Sequence, residues 1–388
     1  MTSPHHRTTL FCSACAGMFV FGIVGALLGS LFGFPEVRQQ FAVDFSRLGD
    51  LFTMLFSGLL VTTLVAGPII DRSGARLLLI VSSALVAGAF VLFATGAGYR
   101  WAAVAAAVIG VGGGGLNVAT NALVSDLYPE SRGRMLSYLA AFFGVGAVFV
   151  PLAAAALGSA ASIPPLLFVA AALALVCAAA YALLPIPPPA ADHHTFSVSD
   201  IPVALAQPGV LLLAALLFFQ TGNEAMVGGW ISTYIGQAGW PAQTATAVLA
   251  GYWIAVIVGR ALIGRLHHMV AGRVLLVACG LVTIAGCLWL MGARSIVTLT
   301  GAALLTSLAL SGVYPTTRAL AGDRYRRQAA TVFGALMSLG TVGGMVMPPI
   351  LGRVSEAADL RTGMLVPVVG AVMVTMLALV VGWRAATR

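Results

Sequence analysis

Residues 67–76 read Gly-Pro-Ile-Ile-Asp-Arg-Ser-Gly-Ala-Arg and join two apolar stretches, and residues 264–273, which also begin with Gly and end with Arg, do the same later in the chain. The two segments lie 197 positions apart, and this offset stays constant through the residues that follow them. Matched identical pairs include Gly67 and Gly264, Arg76 and Arg273, Leu78 and Leu275, Asp126 and Asp323, Tyr128 and Tyr325, Gly146 and Gly343, and Pro151 and Pro348. The repeat predicts two homologous halves with the same fold.

The composition of the chain rules out a water-soluble fold. Of the 388 residues, 60% are hydrophobic and 8% are charged, with a mean hydropathy of +1.01, whereas a soluble domain carries about 25% charged residues. Apolar stretches of about 20 residues, long enough to cross a bilayer, recur throughout. They predict an all-α membrane protein with twelve transmembrane helices, at residues 10–34, 50–70, 77–97, 101–126, 135–158, 163–184, 209–235, 243–266, 274–293, 296–321, 329–352 and 363–383. The predicted domains are 1–184 and 209–388, joined by a Pro- and Ala-rich linker at 185–208.

The net charge of +8 comes from arginine alone, because the chain contains no lysine. The arginines lie mainly in short loops between apolar spans, so the charge does not predict nucleic-acid binding. With the N-terminus inside, twelve arginines fall in cytoplasmic loops and tails and six in external loops. Since cytoplasmic loops collect positive charge, we expect a multi-pass protein of the bacterial inner membrane with both termini in the cytoplasm.

The segment quoted first resembles the loop between helices 2 and 3 of the major facilitator superfamily. In that family the Asp and Arg pair across the cytoplasmic ends of neighbouring helices and help to hold the outward-facing state. The resemblance therefore implies a conformational latch made of Gly67, Asp71, Arg72, Gly74 and Arg76. It also implies two six-helix bundles related by pseudo-two-fold symmetry, with a central cavity open alternately to each side.

Further segments resemble the branch of this superfamily that includes the fucose and glucose/galactose–proton symporters. They are Asn117 to Glu130, Arg132-Gly-Arg134, Phe142 to Gly146, Gly228-Gly229-Trp230 and Tyr314-Pro315-Thr316. The resemblance implies a sugar carrier. Fucose-type carriers place one acid in the first helix and one in the fourth, but here those positions fall near Leu31 and at Asn117, which are uncharged. Any proton coupling must therefore use another group.

Polar side chains inside apolar spans are expected to face the interior of the protein, because contact with lipid is costly for them. Amides, hydroxyls and aromatic faces suit a neutral polyol, since they supply donors, acceptors and apolar surface. An alternative is that these groups only join helices, through hydrogen bonds of about 0.6 kcal/mol each. The predicted substrate-binding residues are Asn117 and Asn121 on one helix face, Tyr138 and Phe142, then Gln220, Asn223 and Glu224 on another face, Trp230, and Tyr314, Thr317 and Arg318 on a third.

The glycine run from Gly112 to Gly115 precedes the first of these faces. No Lys-Ser or Lys-Thr follows it, so it is not a phosphate-binding loop. Close helix packing or a hinge is the favoured interpretation, over a ligand site.

Glu224 is the one acidic residue placed well inside a predicted span. An ionised carboxylate at a helix centre costs about 3 kcal/mol on insertion scales. Desolvation therefore favours the protonated form, which makes this carboxyl the predicted proton-coupling site. Two alternatives stay open. The carboxyl could bind a sugar hydroxyl without coupling, or it could be permanently protonated or paired with an arginine and brace its helix. Arg318 also has two open interpretations. In the structural one it extends to the cytoplasm or pairs with a carboxylate. In the functional one it binds an anionic or hydroxyl-rich solute.

These observations predict a proton-linked or facilitative carrier for a small polar solute, with a sugar as the first candidate, acting as a monomer in the lipid bilayer. Efflux of an amphipathic compound and a non-transporting sensor on a carrier scaffold are the alternatives. An enzyme is not expected, because all six histidines fall in loops or tails and leave no buried base. No cofactor and no metal are predicted, since Cys12-x-x-Cys15 lacks a second pair of ligands.

Overall fold

A computed structural model of the chain describes residues 4–159, 161, 163–187, 200–267, 269–325 and 328–386. Within these ranges the elements are α-helices, and no strand occurs. They are α1 (Pro4–Leu31), α2 (Pro35–Gln40), α3 (Phe45–Thr95), α4 (Tyr99–Leu127), α5 (Arg132–Leu157), α6 (Ile163–Leu183), α7 (Asp200–Leu205), α8 (Pro208–Gln237), α9 (Ala242–Leu266), α10 (Gly272–Gly292), α11 (Ile296–Arg324), α12 (Ala329–Ala357), α13 (Leu360–Gly363) and α14 (Leu365–Ala386). Eleven stretches of helix in the described part are long and apolar enough to cross a membrane.

The eleven stretches contain twelve spans, because α3 is two helices joined at a kink. It has 51 residues, about 75 Å of helix at 1.5 Å per residue, which is more than twice the hydrocarbon thickness of about 30 Å. Gly74 interrupts it with φ 72° and ψ 166°, a conformation that residues with a side chain rarely adopt.

The contacts of α4 show that the chain turns back at this kink. Gly112 packs against Ser82, in the second part of α3, while Gly114 packs against Leu59, in the first part. In a straight helix Leu59 and Ser82 would lie about 35 Å apart, so they can both reach adjacent turns of α4 only if α3 folds into a hairpin. The predicted spans at 50–70 and 77–97 are therefore the two legs of α3, and the twelve-helix fold is confirmed. The glycine run packs helices together, as predicted.

By their contacts the residues form two compact units, Met1–Ala42 with Met54–Thr195, and Val43–Thr53 with Phe196–Arg388. We call these unit 1 and unit 2. The first residues of α3 thus group with unit 2, whereas the predicted domain bounds place them in the first domain, 1–184. The described part of the predicted linker includes α7, whose Ala204 is buried in the core of unit 2 beside Val210; residues 188–199 lie outside the described part.

The sequence repeat has a direct counterpart in the helix packing. In unit 1, Gly146 of α5 lies against the backbone carbonyl of Phe19 in α1. In unit 2, its repeat partner Gly343 of α12 lies against the backbone carbonyl of Phe218 in α8. Each glycine lets two helix backbones approach at a distance that a side chain would prevent. The two units therefore use the same kind of close contact at a repeat-related glycine.

We expect Gly343→Ala to destabilise the protein, because the added Cβ would collide with the Phe218 backbone and overpacking of a close contact costs about 1–3 kcal/mol. The measurement is the thermal midpoint of the detergent-solubilised protein, which should fall by several degrees. Gly88→Ala is the matched control, since a Cβ at Gly88 meets open space. Equal midpoints for the two variants would contradict this packing.

Candidate functional site

An ion pair inside unit 2 joins α8 to α9. The Glu224 carboxylate Oε1 lies 3.1 Å from the Arg260 guanidinium Nη2, and the two side chains are 18% and 33% exposed, respectively. The buried Tyr252 hydroxyl lies 3.5 Å from the backbone carbonyl of Glu224. The contact matches the arginine-paired alternative that the sequence left open for Glu224. Arg260 was missed from the sequence, although an arginine deep in a predicted span was a signal that could have identified it.

The other two residues of the predicted α8 face are fully buried and contact different helices. Gln220 donates from Nε2 to the carbonyl of Leu310 in α11 at 2.7 Å. Asn223 lies against Gly370 of α14, and neither its amide oxygen nor its amide nitrogen has a hydrogen-bond partner among the described residues. The three side chains expected on one face are thus directed to three neighbouring helices, and only Glu224 keeps an accessible part.

A second charged group of unit 2 lies between α11 and α12. The guanidinium carbon Cζ of Arg318 is 5.7 Å from the centre of the Tyr314 ring and 5.2 Å from that of Phe333. The Tyr314 hydroxyl contacts the Met337 sulfur at 2.6 Å. Thr317, also predicted to bind substrate, is fully buried and donates its hydroxyl to its own helix. Tyr314 and Arg318 therefore come together as predicted, and Thr317 has no surface for a ligand in this arrangement.

Trp230 is likewise fully buried in unit 2. Its ring centre lies 6.0 Å from that of Phe45, at the start of α3. A ligand could not touch this indole without a rearrangement of its neighbours.

In unit 1 the two predicted asparagines of α4 bind each other. The Asn121 amide Nδ2 donates to the backbone carbonyl of Asn117 at 2.7 Å and lies 3.1 Å from its amide oxygen. Both residues are half-buried. On α5, Tyr138 and Phe142 are 54% and 42% exposed and lie one turn apart. These four side chains keep accessible surface, which a solute-binding role requires.

The predicted latch residues surround the kink in α3. Arg76 donates from Nε to the carbonyl of Tyr181 at 3.3 Å and from Nη2 to the carbonyl of Ala182, at the C-terminal end of α6. An arginine suits this position, because the last carbonyls of a helix lack partners and carry partial negative charge. Asp71 and Arg72 are exposed, and Asp71 forms no ion pair with any residue that the structure describes. The role of Gly67 and of the Asp-Arg pair in a latch stays a prediction.

The described residues contain no cluster of His, Cys, Asp and Glu side chains that could hold a metal ion. What they offer inside apolar helices is a carboxyl, two guanidinium groups, an amide pair and aromatic rings. Such groups can bind a polar solute. With twelve spans in two repeated sets, they define a multi-pass membrane transporter.

Residues 9–348 match the Major Facilitator Superfamily, and the chain belongs to that family. In sequence it is 22% identical to the uncharacterized MFS-type transporter YfkL of Bacillus subtilis (strain 168) over 353 residues, 88% of each protein. In structure it resembles a bacterial homolog of the human lysosomal transporter Spinster, in an inward-facing and occupied conformation, with a TM-score of 0.84, 14% identity and 98% of both chains covered.

A variant of the E. coli fucose:proton symporter FucP also shares the fold, with a TM-score of 0.64, 20% identity, and 96% of this chain and 98% of that chain covered. The predicted resemblance to the major facilitator superfamily is thus confirmed, with a member of the fucose branch among the structural neighbours. Membership also confirms that the chain is a transporter and not an enzyme.

The ion pair predicts a characteristic pattern of stabilities. Glu224→Gln and Arg260→Gln should each lower the thermal midpoint, because each leaves its partner charge poorly compensated in an apolar setting. The double variant should lose less stability than the sum of the two single losses. A double-mutant cycle on the detergent-solubilised protein measures this difference. Strict additivity of the two losses would show that the charges do not interact.

Proposed function

We propose that this transporter moves a small polar solute of the sugar class by alternating access between its two six-helix bundles. The observation that carries the proposal is the amide pair of Asn117 and Asn121. With one amide hydrogen bonded between them, the Asn117 amide hydrogens and the Asn121 amide oxygen remain for a ligand, so the pair offers both donor and acceptor to a hydroxyl group. The accessible rings of Tyr138 and Phe142 supply apolar surface for a sugar ring. The fucose:proton symporter among the structural neighbours supports the same class.

Glu224 is the proposed proton-coupling group. When its carboxyl takes up a proton, the ion pair with Arg260 at 3.1 Å is lost, and the guanidinium needs a new partner in a region of low dielectric constant. Protonation thereby changes the contact between α8 and α9. This is a coupling between proton binding and helix position of the kind that symport requires.

The arginine asymmetry of the loops supports insertion in a bacterial inner membrane with both termini in the cytoplasm. The proposed working unit is a monomer surrounded by lipid, with the Gly67–Arg76 segment acting as the cytoplasmic latch.

Asn121→Leu tests the proposed binding site. Losing one hydrogen bond to the solute removes about 1–1.5 kcal/mol, so the KM for uptake should rise about tenfold. The measurement is uptake of radiolabelled hexoses and their uronic acids into proteoliposomes. Ser137→Ala is the control, because that hydroxyl binds only its own helix at an exposed position. An unchanged KM in Asn121→Leu would place the binding site elsewhere.

Glu224→Gln tests the coupling. The amide keeps the shape of the carboxyl but cannot titrate, so gradient-driven accumulation should be lost while exchange of labelled for unlabelled solute is retained. Glu130→Gln, at an exposed loop position, should accumulate solute normally. Accumulation with its pH dependence intact in Glu224→Gln would remove this residue as the proton site.

Efflux of an amphipathic compound is the second candidate function. It is favoured by the exposed apolar line Tyr138, Phe142 and Val145 along α5, which follows the spacing of one helix face. Competition of an amphipathic dye with the labelled sugars in the uptake assay distinguishes the two candidates.

A further inference from the structure

The guanidinium of Arg318 is held in a fixed place by two aromatic rings. Its carbon lies within 5.7 Å of the centre of Tyr314 and 5.2 Å of that of Phe333. Contacts of this kind use the flat faces of the guanidinium and leave its edge, with the N–H donors, for a partner. Arg318 is also exposed, so the edge is accessible.

The charges inside the spans of unit 2 do not balance. Glu224, Arg260 and Arg318 are the charged side chains that lie well inside the described parts of its long helices. The single carboxylate among them is bound to Arg260, and no carboxylate in the described ranges pairs with Arg318. A cation within a membrane helix is unfavourable unless an anion or water accompanies it.

The guanidinium lies near the end of α11. Arg318 is six residues before Arg324, the last residue of the helix, about 9 Å along the helix axis. The nearer of its two rings, Phe333, lies beside Gly322, one turn closer to that end. A solute that enters from that end can therefore reach the guanidinium edge.

We propose that the transported solute carries an anionic group, a carboxylate or a phosphate, and that Arg318 binds it through the edge of its guanidinium. Planar guanidinium edges bind such groups through two parallel hydrogen bonds, which neutral hydroxyls cannot match in strength. The inference rests on the proposed function and narrows its solute class from sugars to sugar acids and similar small organic anions.

The test compares two probes that differ only in charge, D-galacturonate and D-galactose, by their effect on the thermal midpoint of the detergent-solubilised full chain. For the wild type, galacturonate should bind at least ten times more tightly than galactose. Arg318→Gln should abolish this preference, and Arg318→Lys should retain part of it, because lysine keeps the charge and loses the bidentate edge. Arg273→Gln, which removes an exposed arginine from the same unit, should leave the preference intact.

Equal binding of the two probes to the wild type, or no binding of either, overturns the inference without relying on any variant. A preference that survives in Arg318→Gln also overturns it. A lipid headgroup is the other source of the same chemistry: if phosphatidylglycerol gives an Arg318-dependent shift and galacturonate gives none, the anion is a lipid and not the solute. Uptake of galactose without a preference for galacturonate would sink this inference and leave the proposed function standing, whereas proteoliposomes that take up neither sugar would reject the proposed function itself.

Discussion

Close approach of helix backbones is the constraint under which this protein folds, because lipid tails are as apolar as leucine and give helices little reason to associate through hydrophobicity. Dispersion contacts must replace that driving force, and they require surfaces without gaps. Gly146 meets this requirement against Phe19, and its repeat partner Gly343 meets it against Phe218. The glycine run of α4 meets it a third time, against both legs of α3. Glycine is abundant in this chain, with 45 residues, and at these contacts its absent side chain is the feature that joins the helices.

The same apolar surroundings limit the number of polar groups inside the spans. Every charge kept inside a span needs a partner or access to water. Glu224 and Arg260 satisfy each other, and the two α4 asparagines share a hydrogen bond. In each pair the polar groups satisfy part of each other's need for a hydrogen-bond or charge partner. Arg318 has aromatic rings instead of a carboxylate, which places it apart from the other two sites.

Hydropathy and the repeat predicted the fold because both are one-dimensional signals: a span is about 20 apolar residues, and a homologous half is a constant offset in the numbering. The site is three-dimensional, and spacing along one helix predicts only which residues share a face. It could not show that Gln220 contacts α11 while Asn223 contacts α14, since the neighbours of a helix depend on the packing of the other helices. The pairing of Arg260 could not be predicted for a related reason. Its meaning depends on Glu224, 36 positions away on another helix, and no local pattern connects the two.

The hairpin at Gly74 also bears on how the protein enters the membrane. Its two legs are joined through a single non-helical residue, so there is no loop long enough for one leg to wait at the surface while the other crosses. Arg72 and Arg76 lie on either side of the kink, and charged side chains are not readily carried through hydrocarbon. We therefore expect the legs to insert together as a preformed pair, with the two arginines retained on the side from which the chain is delivered. In such a step the turn at Gly74 forms before either leg crosses the membrane.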